Sequence, residues 1–210
     1  RKKIIKILSL DDYIKQGIIG EDEKKLLEKY VREKKNILIS GATNTGKTTF
    51  INALIKVIDK NERLGFIEDV RELQSEGENN IFMLTIPKVF EPKDALKSMM
   101  RYSIDRVIYG EVRGSEAFDL LNILNTGHPG GFCSVHANDA RSALDKLETL
   151  ILYERNNPLS QVISRTFGVI VTMVMENYKR KLDSIVEIKG YENGEYILDF
   201  KFKRDYFLKL

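Results

Sequence analysis

Apolar residues in this chain fall into short unbroken runs, separated by stretches where they recur every three or four positions. Unbroken runs suit strands covered on both faces, and the wider spacing suits helices with one buried face. The runs are Ile37-Leu38-Ile39, Leu64-Gly65-Phe66-Ile67, Asn80 to Ile86 (stopped by Pro87), Arg106 to Gly110, Phe132 to Val135 and Val169 to Met175. Between them the spacing predicts helices over Glu21 to Glu33, Pro92 to Tyr102, Ser115 to Thr126 and Ala140 to Tyr153. Another begins near Lys47, with Phe50, Ile51, Leu54, Ile55 and Ile58 as one apolar stripe. Met99 and Met100 are expected on the inner side of theirs. Asp11-Asp12 start a helical turn ending near Gly17, and the basic, apolar stretch Arg1 to Leu10 reads as an edge strand or a linker tail. After Pro158 the pattern changes. Beyond the Val169 run comes Ile185 to Ile188, and then Tyr196, Leu198, Phe200 and Phe202 alternate with polar partners behind an Asn193-Gly194 turn that favours a hairpin. The fold class is therefore α/β: a mostly parallel sheet flanked by helices, finished by a C-terminal antiparallel ribbon.

One loop carries the strongest chemical signal. Gly41-Ala42-Thr43-Asn44-Thr45-Gly46-Lys47-Thr48-Thr49 sits between the Ile37 run and the helix that starts with Lys47. Strand, glycine-bounded loop and helix are the context a phosphate-binding loop needs. The glycines let successive N–H groups converge on one anion, and the helix N-terminus adds partial positive charge. Lys47 is then expected to reach the β- and γ-phosphates, and the Thr48 hydroxyl to enter the shell of a Mg²⁺ ion. The bland alternative, a lysine-bearing surface turn, does not explain the flanking elements.

Composition narrows the rest. At 210 residues and 42% hydrophobic content the chain can bury a full core. Charged residues make up 31%, yet the net charge is only +3, which gives no sign of a dedicated nucleic-acid surface. No run approaches a membrane span and no secretory signal is present; with the single Cys133 in an apolar strand, expected as a buried reduced thiol, this fits a cytoplasmic setting. The chain begins at Arg1, as a piece of a longer protein would.

Ligands of open parallel sheets bind beyond the carboxyl ends of the strands. Three such ends carry chemistry here: the phosphate loop, Glu68-Asp69 after Ile67, and Glu111 after Gly110. Glu111 could hold Mg²⁺ through a water or polarise an attacking water, and Glu68 competes for the second role. A solvated strand-end glutamate is the alternative for each. His128 and His136 flank the Phe132 strand, so each is a candidate γ-phosphate sensor or pocket residue, His136 more so than His128, with a structural histidine as the alternative.

These residues also carry a family resemblance. The phosphate loop, Ile67 to Leu73, Arg106 to Ala117, and Asn125 to Gly130 through His136-Ala137-Asn138 occur in the order of the traffic ATPases of type IV secretion, relatives of the type II secretion and type IV pilus motors. The run Thr126 to Ala140, followed by Leu144 to Leu150, is most similar to the Trb-type conjugal transfer ATPases, and the likeness spans about Leu8 to Thr172. It implies a RecA-like P-loop NTPase that hydrolyses Mg-ATP in a hexameric ring, bound peripherally at the cytoplasmic face of the inner membrane to components of a secretion or conjugation apparatus. Carried onto this chain, Lys47 and Thr48 take phosphate and Mg²⁺. Glu68 belongs to an acidic box, Glu111 to the second nucleotide motif and His136 to a histidine box. Arg101 and Arg113, with His128, are expected at phosphate or subunit contacts. Residues 1–20 would form a linker and N-terminal edge and 21–210 the ATPase domain, the family's N-terminal domain lying outside this stretch. Ile104 departs from the proline common before Asp105-Arg106. Among rivals, a pilus or type II motor commonly has a four-cysteine metal site, and this chain has one cysteine. A GTPase would need an Asn-Lys-x-Asp motif, which does not occur. A nucleotide-gated scaffold without turnover and a helicase-like motor remain as other classes.

Overall fold

The computed structural model describes residues 7–205. The short apolar runs become strands β1 (Ile37–Ser40), β2 (Leu64–Glu68), β4 (Arg106–Tyr109) and β5 (Phe132–Val135), each buried along its whole length. With β3 (Asn80–Leu84), β6 (Val169–Glu176), β7 (Lys179–Glu192) and β8 (Glu195–Lys203) they form one eight-stranded sheet in the order β3-β2-β4-β5-β1-β6-β7-β8. Strands β1 to β6 run parallel, β7 pairs antiparallel with β6, and β8 pairs antiparallel with β7. The expected fold is the observed one.

Alternate residues of each central strand face opposite layers, as the strand's two-residue period requires. Leu38, Ile67, Val107, Cys133 and Ile170 pack toward α4 (Pro92–Met99), α5 (Glu116–Asn125), α6 (Ala140–Leu152) and α7 (Ser160–Thr166). Ile37, Ile39, Phe66, Ile108, Phe132 and Val169 pack toward α1 (Leu10–Lys15), α2 (Glu21–Arg32) and α3 (Lys47–Ile55).

Several boundaries differ from expectation. Helix α3 is not striped: Phe50, Ile51, Asn52, Ala53, Leu54 and Ile55 are all buried, because α1 and α2 cover the side away from the sheet and Tyr13 meets Phe50 edge-on at 5.4 Å. Ile58 lies past the end of α3, still buried. Met99 is buried but Met100 is 53% exposed, since neighbours on a helix point about 100° apart. Strand β3 stops at Leu84, and Ile86 instead bridges Phe90 across the Pro87 turn. Helix α7 had no sequence signal, being only seven residues long. Strand β7 runs well beyond Ile185–Ile188 at both ends, carried by backbone pairing rather than apolar side chains. A bulge pairs Ile185 with Phe202 and Val186 with Phe200, which breaks the alternation of β8. Phe202 therefore packs on the α3 side, Tyr196 and Leu198 on the other, and Phe200 is exposed.

Of Arg1 to Leu10, residues 1–6 lie outside the described structure. Residues 7–9 form no strand, and Ser9 caps α1 in a reciprocal box with Asp12. Among the described residues no helix is long and apolar enough to cross a membrane.

Candidate functional site

Polar side chains occupy both edges of the parallel sheet. At the amino edge two buried side chains, Arg106 and Asn36, bind neighbouring connections together. Arg106, 2% exposed, grips Glu62 through Nε (2.8 Å) and Nη2 (2.7 Å), and its Nη1 donates to the carbonyl of Val31 (2.9 Å). Buried Asn36 donates to the carbonyl of Thr166 (2.7 Å) and accepts from the Gly131 amide (2.9 Å). These contacts fix where the strands begin.

The carboxyl edge gathers the loops after β1, β2, β4 and β5. In the loop after β1, Gly41 packs so closely that a Cβ there would lie 2.4 Å from the Met173 carbonyl oxygen and 2.5 Å from Thr45 Oγ1. Gly46, with φ of 92°, turns the chain into α3. No side chain caps α3 and its first turn holds no acid, so its leading N–H groups are left for an anion. Thr45 Oγ1 closes the loop by donating to the Ala42 carbonyl at 2.9 Å.

Lys47, 7% exposed, donates to the carbonyls of Gly41 (2.8 Å) and Ala42 (3.1 Å) and meets His136 Nδ1 at 3.1 Å. Burial pulls its ammonium pKa down, and the nearby Glu111 carboxylate partly restores it. His136 Nε2 lies 2.7 Å from Glu111 Oε1. These two partners assign the hydrogen to Nε2 and leave Nδ1 accepting. Arg113 holds the same carboxylate through Nε at 3.0 Å and Nη2 at 3.1 Å, and reaches Asp69 with Nη1. Lys47, His136, Glu111, Arg113 and Asp69 thus form one continuous polar chain across four loops. Of the roughly four lone-pair positions of the Glu111 carboxylate, three are taken, which leaves Oε2 room for a water.

Glu68, 6% exposed, lies beneath this chain, and a Cβ on Gly110 would sit 3.3 Å from its Cγ. Its Oε1 accepts the amides of Glu72 (3.0 Å) and Leu73 (2.7 Å), while Oε2 has no protein partner among the described residues. Burial raises its pKa above the usual carboxylate range, against those two amide donors.

Two supports were not legible in the sequence. Asn52 of α3 donates to the Glu72 carbonyl (3.0 Å) and accepts from the Gln74 amide (2.9 Å), tying the Glu68 loop to the phosphate-loop helix. Glu116 Oε1 accepts the amides of Arg113 (2.8 Å) and Gly114 (3.0 Å), which aims Arg113 back at Glu111. Asn52 sits among the buried apolar residues of α3, and Glu116 resembles any exposed helix-start acid.

The structure brings together Lys47, Glu68, Glu111, Arg113 and His136, but neither Arg101 nor His128. Both precede their strands and so stand toward the amino edge: exposed Arg101 in the turn after α4, and His128 in the loop before β5. Cys133 is fully buried, and burial pushes its thiol pKa up, as an inert core cysteine requires.

The residues suit a magnesium-bound nucleoside triphosphate. An uncapped helix start and a partly buried lysine fit its phosphates. Mg²⁺ keeps several waters and takes phosphate oxygens, so Thr48, with Glu111 through a water, would hold it here; no three-residue metal cluster occurs among the described residues.

The chain is similar to known proteins in sequence and in fold. The family model described as Type II/IV secretion system protein matches residues 4–185. The chain is 36% identical to the conjugal transfer protein TrbB of Rhizobium radiobacter over 199 residues, 93% of this chain and 61% of that protein. It is 37% identical to the type IV secretion system protein VirB11 of Bartonella quintana over 178 residues, 82% of this chain and 48% of that protein. The chain therefore spans about half to three fifths of the length of these relatives. The crystal structure of the VirB11 ATPase from the Brucella suis type IV secretion system, in complex with sulphate, superposes with a TM-score of 0.74 at 24% identity, covering 89% of this chain and 65% of that one. By motif order, fold and the extent of the match, the chain belongs to the Type II/IV secretion system protein family.

Proposed function

We propose that this chain is the ATP-hydrolysing motor domain of a type IV secretion or conjugal-transfer apparatus, binding Mg-ATP and releasing ADP and phosphate. The observation that carries this reading is the polar chain from Lys47 through His136 to Glu111 and Arg113, built directly on an uncapped phosphate loop. The amides from Gly46 to Thr49 bind phosphate oxygens, and Lys47 exchanges the carbonyls of Gly41 and Ala42 for the β- and γ-phosphates. Thr48 ligates Mg²⁺, which when bound neutralises charge between the phosphates. Glu111 orients the attacking water at Oε2, with Glu68 as the competing acceptor. His136 and Arg113 couple the Glu111 loop to the ammonium that senses the terminal phosphate.

Residues 21–210 make up the ATPase unit and residues 1–20 lead into it. Turnover in the cell takes place in a homo-oligomeric, hexameric ring held peripherally at the cytoplasmic face of the inner membrane by apparatus components. Arg101, Arg113 and His128 are the candidates for contacts between subunits. This part of the reading rests on family membership. The basis for motion is that the terminal phosphate engages groups from several loops at once, so its loss changes how those loops hold together.

The test is nucleotide binding and turnover in two variants. Lys47→Ala is expected to lose tight ATP binding, and unchanged affinity would remove the loop from the site. Glu111→Gln is expected to keep ATP affinity while turnover falls about 10²- to 10³-fold. Full activity there would transfer the water-orienting role to Glu68.

A further inference from the structure

The phosphate loop has a second flank. Glu111 and His136 approach it from β4 and β5, on one side of β1, whereas β6 and β7 lie on the other. From that side Arg180, near the start of β7, lays its side chain on Gly46. A Cβ at Gly46 would lie 2.7 Å from Arg180 Cδ, 2.9 Å from Nε and 3.3 Å from Cζ. Among the described residues the Arg180 guanidinium makes no hydrogen bond or ion pair, although it is exposed on a chain rich in carboxylates; its backbone pairs with Met175. Its strand is nonetheless anchored: the Lys181 ammonium donates to the Gly17 carbonyl at 2.8 Å, and the Leu182 amide to that of Ile18 at 3.4 Å.

An arginine in that state adds little to stability, because it buries no charge and satisfies no partner. It does bring a delocalised cation with five N–H donors, suited to bidentate contact with phosphate, to the glycine that opens α3. Lys47 points the other way, toward His136 and Glu111, which assigns the terminal phosphate to their flank.

We infer that Arg180 is a nucleotide-binding residue acting from the C-terminal ribbon on the nucleoside side of the phosphate chain, at the α-phosphate or ribose shared by ATP and ADP. The inference rests on the nucleotide reading above and adds to it a group from an element that follows the family's motifs in the sequence. Holding the shared end, Arg180 sets affinity for substrate and product alike and makes the ribbon part of the nucleotide's enclosure.

Calorimetric titration of the full chain with Mg-ATP and with Mg-ADP tests this in Arg180→Ala and Arg180→Lys. Arg180→Ala is expected to raise Kd about tenfold for both nucleotides, the loss of one charge-assisted contact. Arg180→Lys, keeping the charge without the fork, is expected to recover part of that. The unfolding midpoint without nucleotide is expected to stay at the wild-type value in both, which a merely structural arginine would not allow. ADP affinity within twofold of wild type in Arg180→Ala overturns the inference, including the case where ATP alone weakens, which would put Arg180 at the terminal phosphate. Wild-type protein that binds neither nucleotide overturns the nucleotide reading and this inference together. Wild-type binding with an indifferent Arg180→Ala overturns the inference alone.

Discussion

Replacing Arg106 with methionine leaves Glu62 in a pocket built for an ion pair. The arginine is 2% exposed and bridges three connections at the amino edge: the approach to β2 through Glu62, the end of α2 through Val31, and the turn before β5 through Gly130 (3.4 Å). Methionine fills much of the volume but returns none of these bonds, and the Glu62 carboxylate, 16% exposed, keeps only Lys34 at 3.0 Å. Removing one partner of a buried pair costs about 3–5 kcal/mol, and the remaining lysine puts this case near the lower end, about 3 kcal/mol. In a domain of this size that is a fall in Tm of about 9 °C. The double variant Arg106→Met, Glu62→Met removes the stranded charge and is expected to lose only about 1 kcal/mol. The arginine's hydrogen bonds depress the Glu62 pKa, with Lys34 assisting and burial opposing. A depressed carboxylate contributes stability that is present above its unfolded pKa, about 4.3, and lost as pH falls through the lower folded value. The deficit of Arg106→Met should therefore shrink between pH 7 and pH 3. Urea denaturation of wild type and both variants at those two pH values measures all three quantities. A single-variant loss under about 1 kcal/mol, or a double variant as unstable as the single, would refute the account of a stranded buried charge.

Two further outcomes bear on the carboxyl edge. Glu68 has a folded pKa raised by burial, so its contribution to stability is present below the unfolded value and lost as pH rises through the folded one. Glu68→Gln, which can still accept the Glu72 and Leu73 amides, should therefore gain on wild type as pH goes from 4 to 7; parallel denaturation profiles across that range would contradict this. Gly41→Ala drives a methyl into the Met173 carbonyl and Thr45 Oγ1, neither of which can withdraw without opening β6 or the loop. About 2 kcal/mol of stability and most nucleotide affinity are expected to go together, and an alanine variant with wild-type ATP binding would show the loop tolerates another shape.

The sequence by itself determined the layered α/β plan, because short apolar runs alternating with helix-spaced segments suit strands covered on both faces by helices. It also determined the phosphate loop, where glycine placement and the Lys47-Thr48 pair encode backbone shape and chemistry within nine residues. It named Glu68, Glu111 and His136, since each lies at or just beyond the end of an apolar run, while Arg113 was named by the family resemblance. Only the tertiary structure decided how these groups meet. That Lys47 bonds His136, and that Arg113 turns back on Glu111, depends on strand order β2-β4-β5-β1, which no local pattern contains. The structure also divided the two histidines, because a strand's ends face opposite edges of the sheet and only His136 follows β5. Arg180 is the extreme case: 134 residues beyond Gly46 in the sequence, in a run of charged residues that reads as solvated ribbon, it reaches the phosphate loop solely because β6 and β7 are laid beside β1. Short-range physics fixes elements and loops, and long-range pairing fixes which charges share a site.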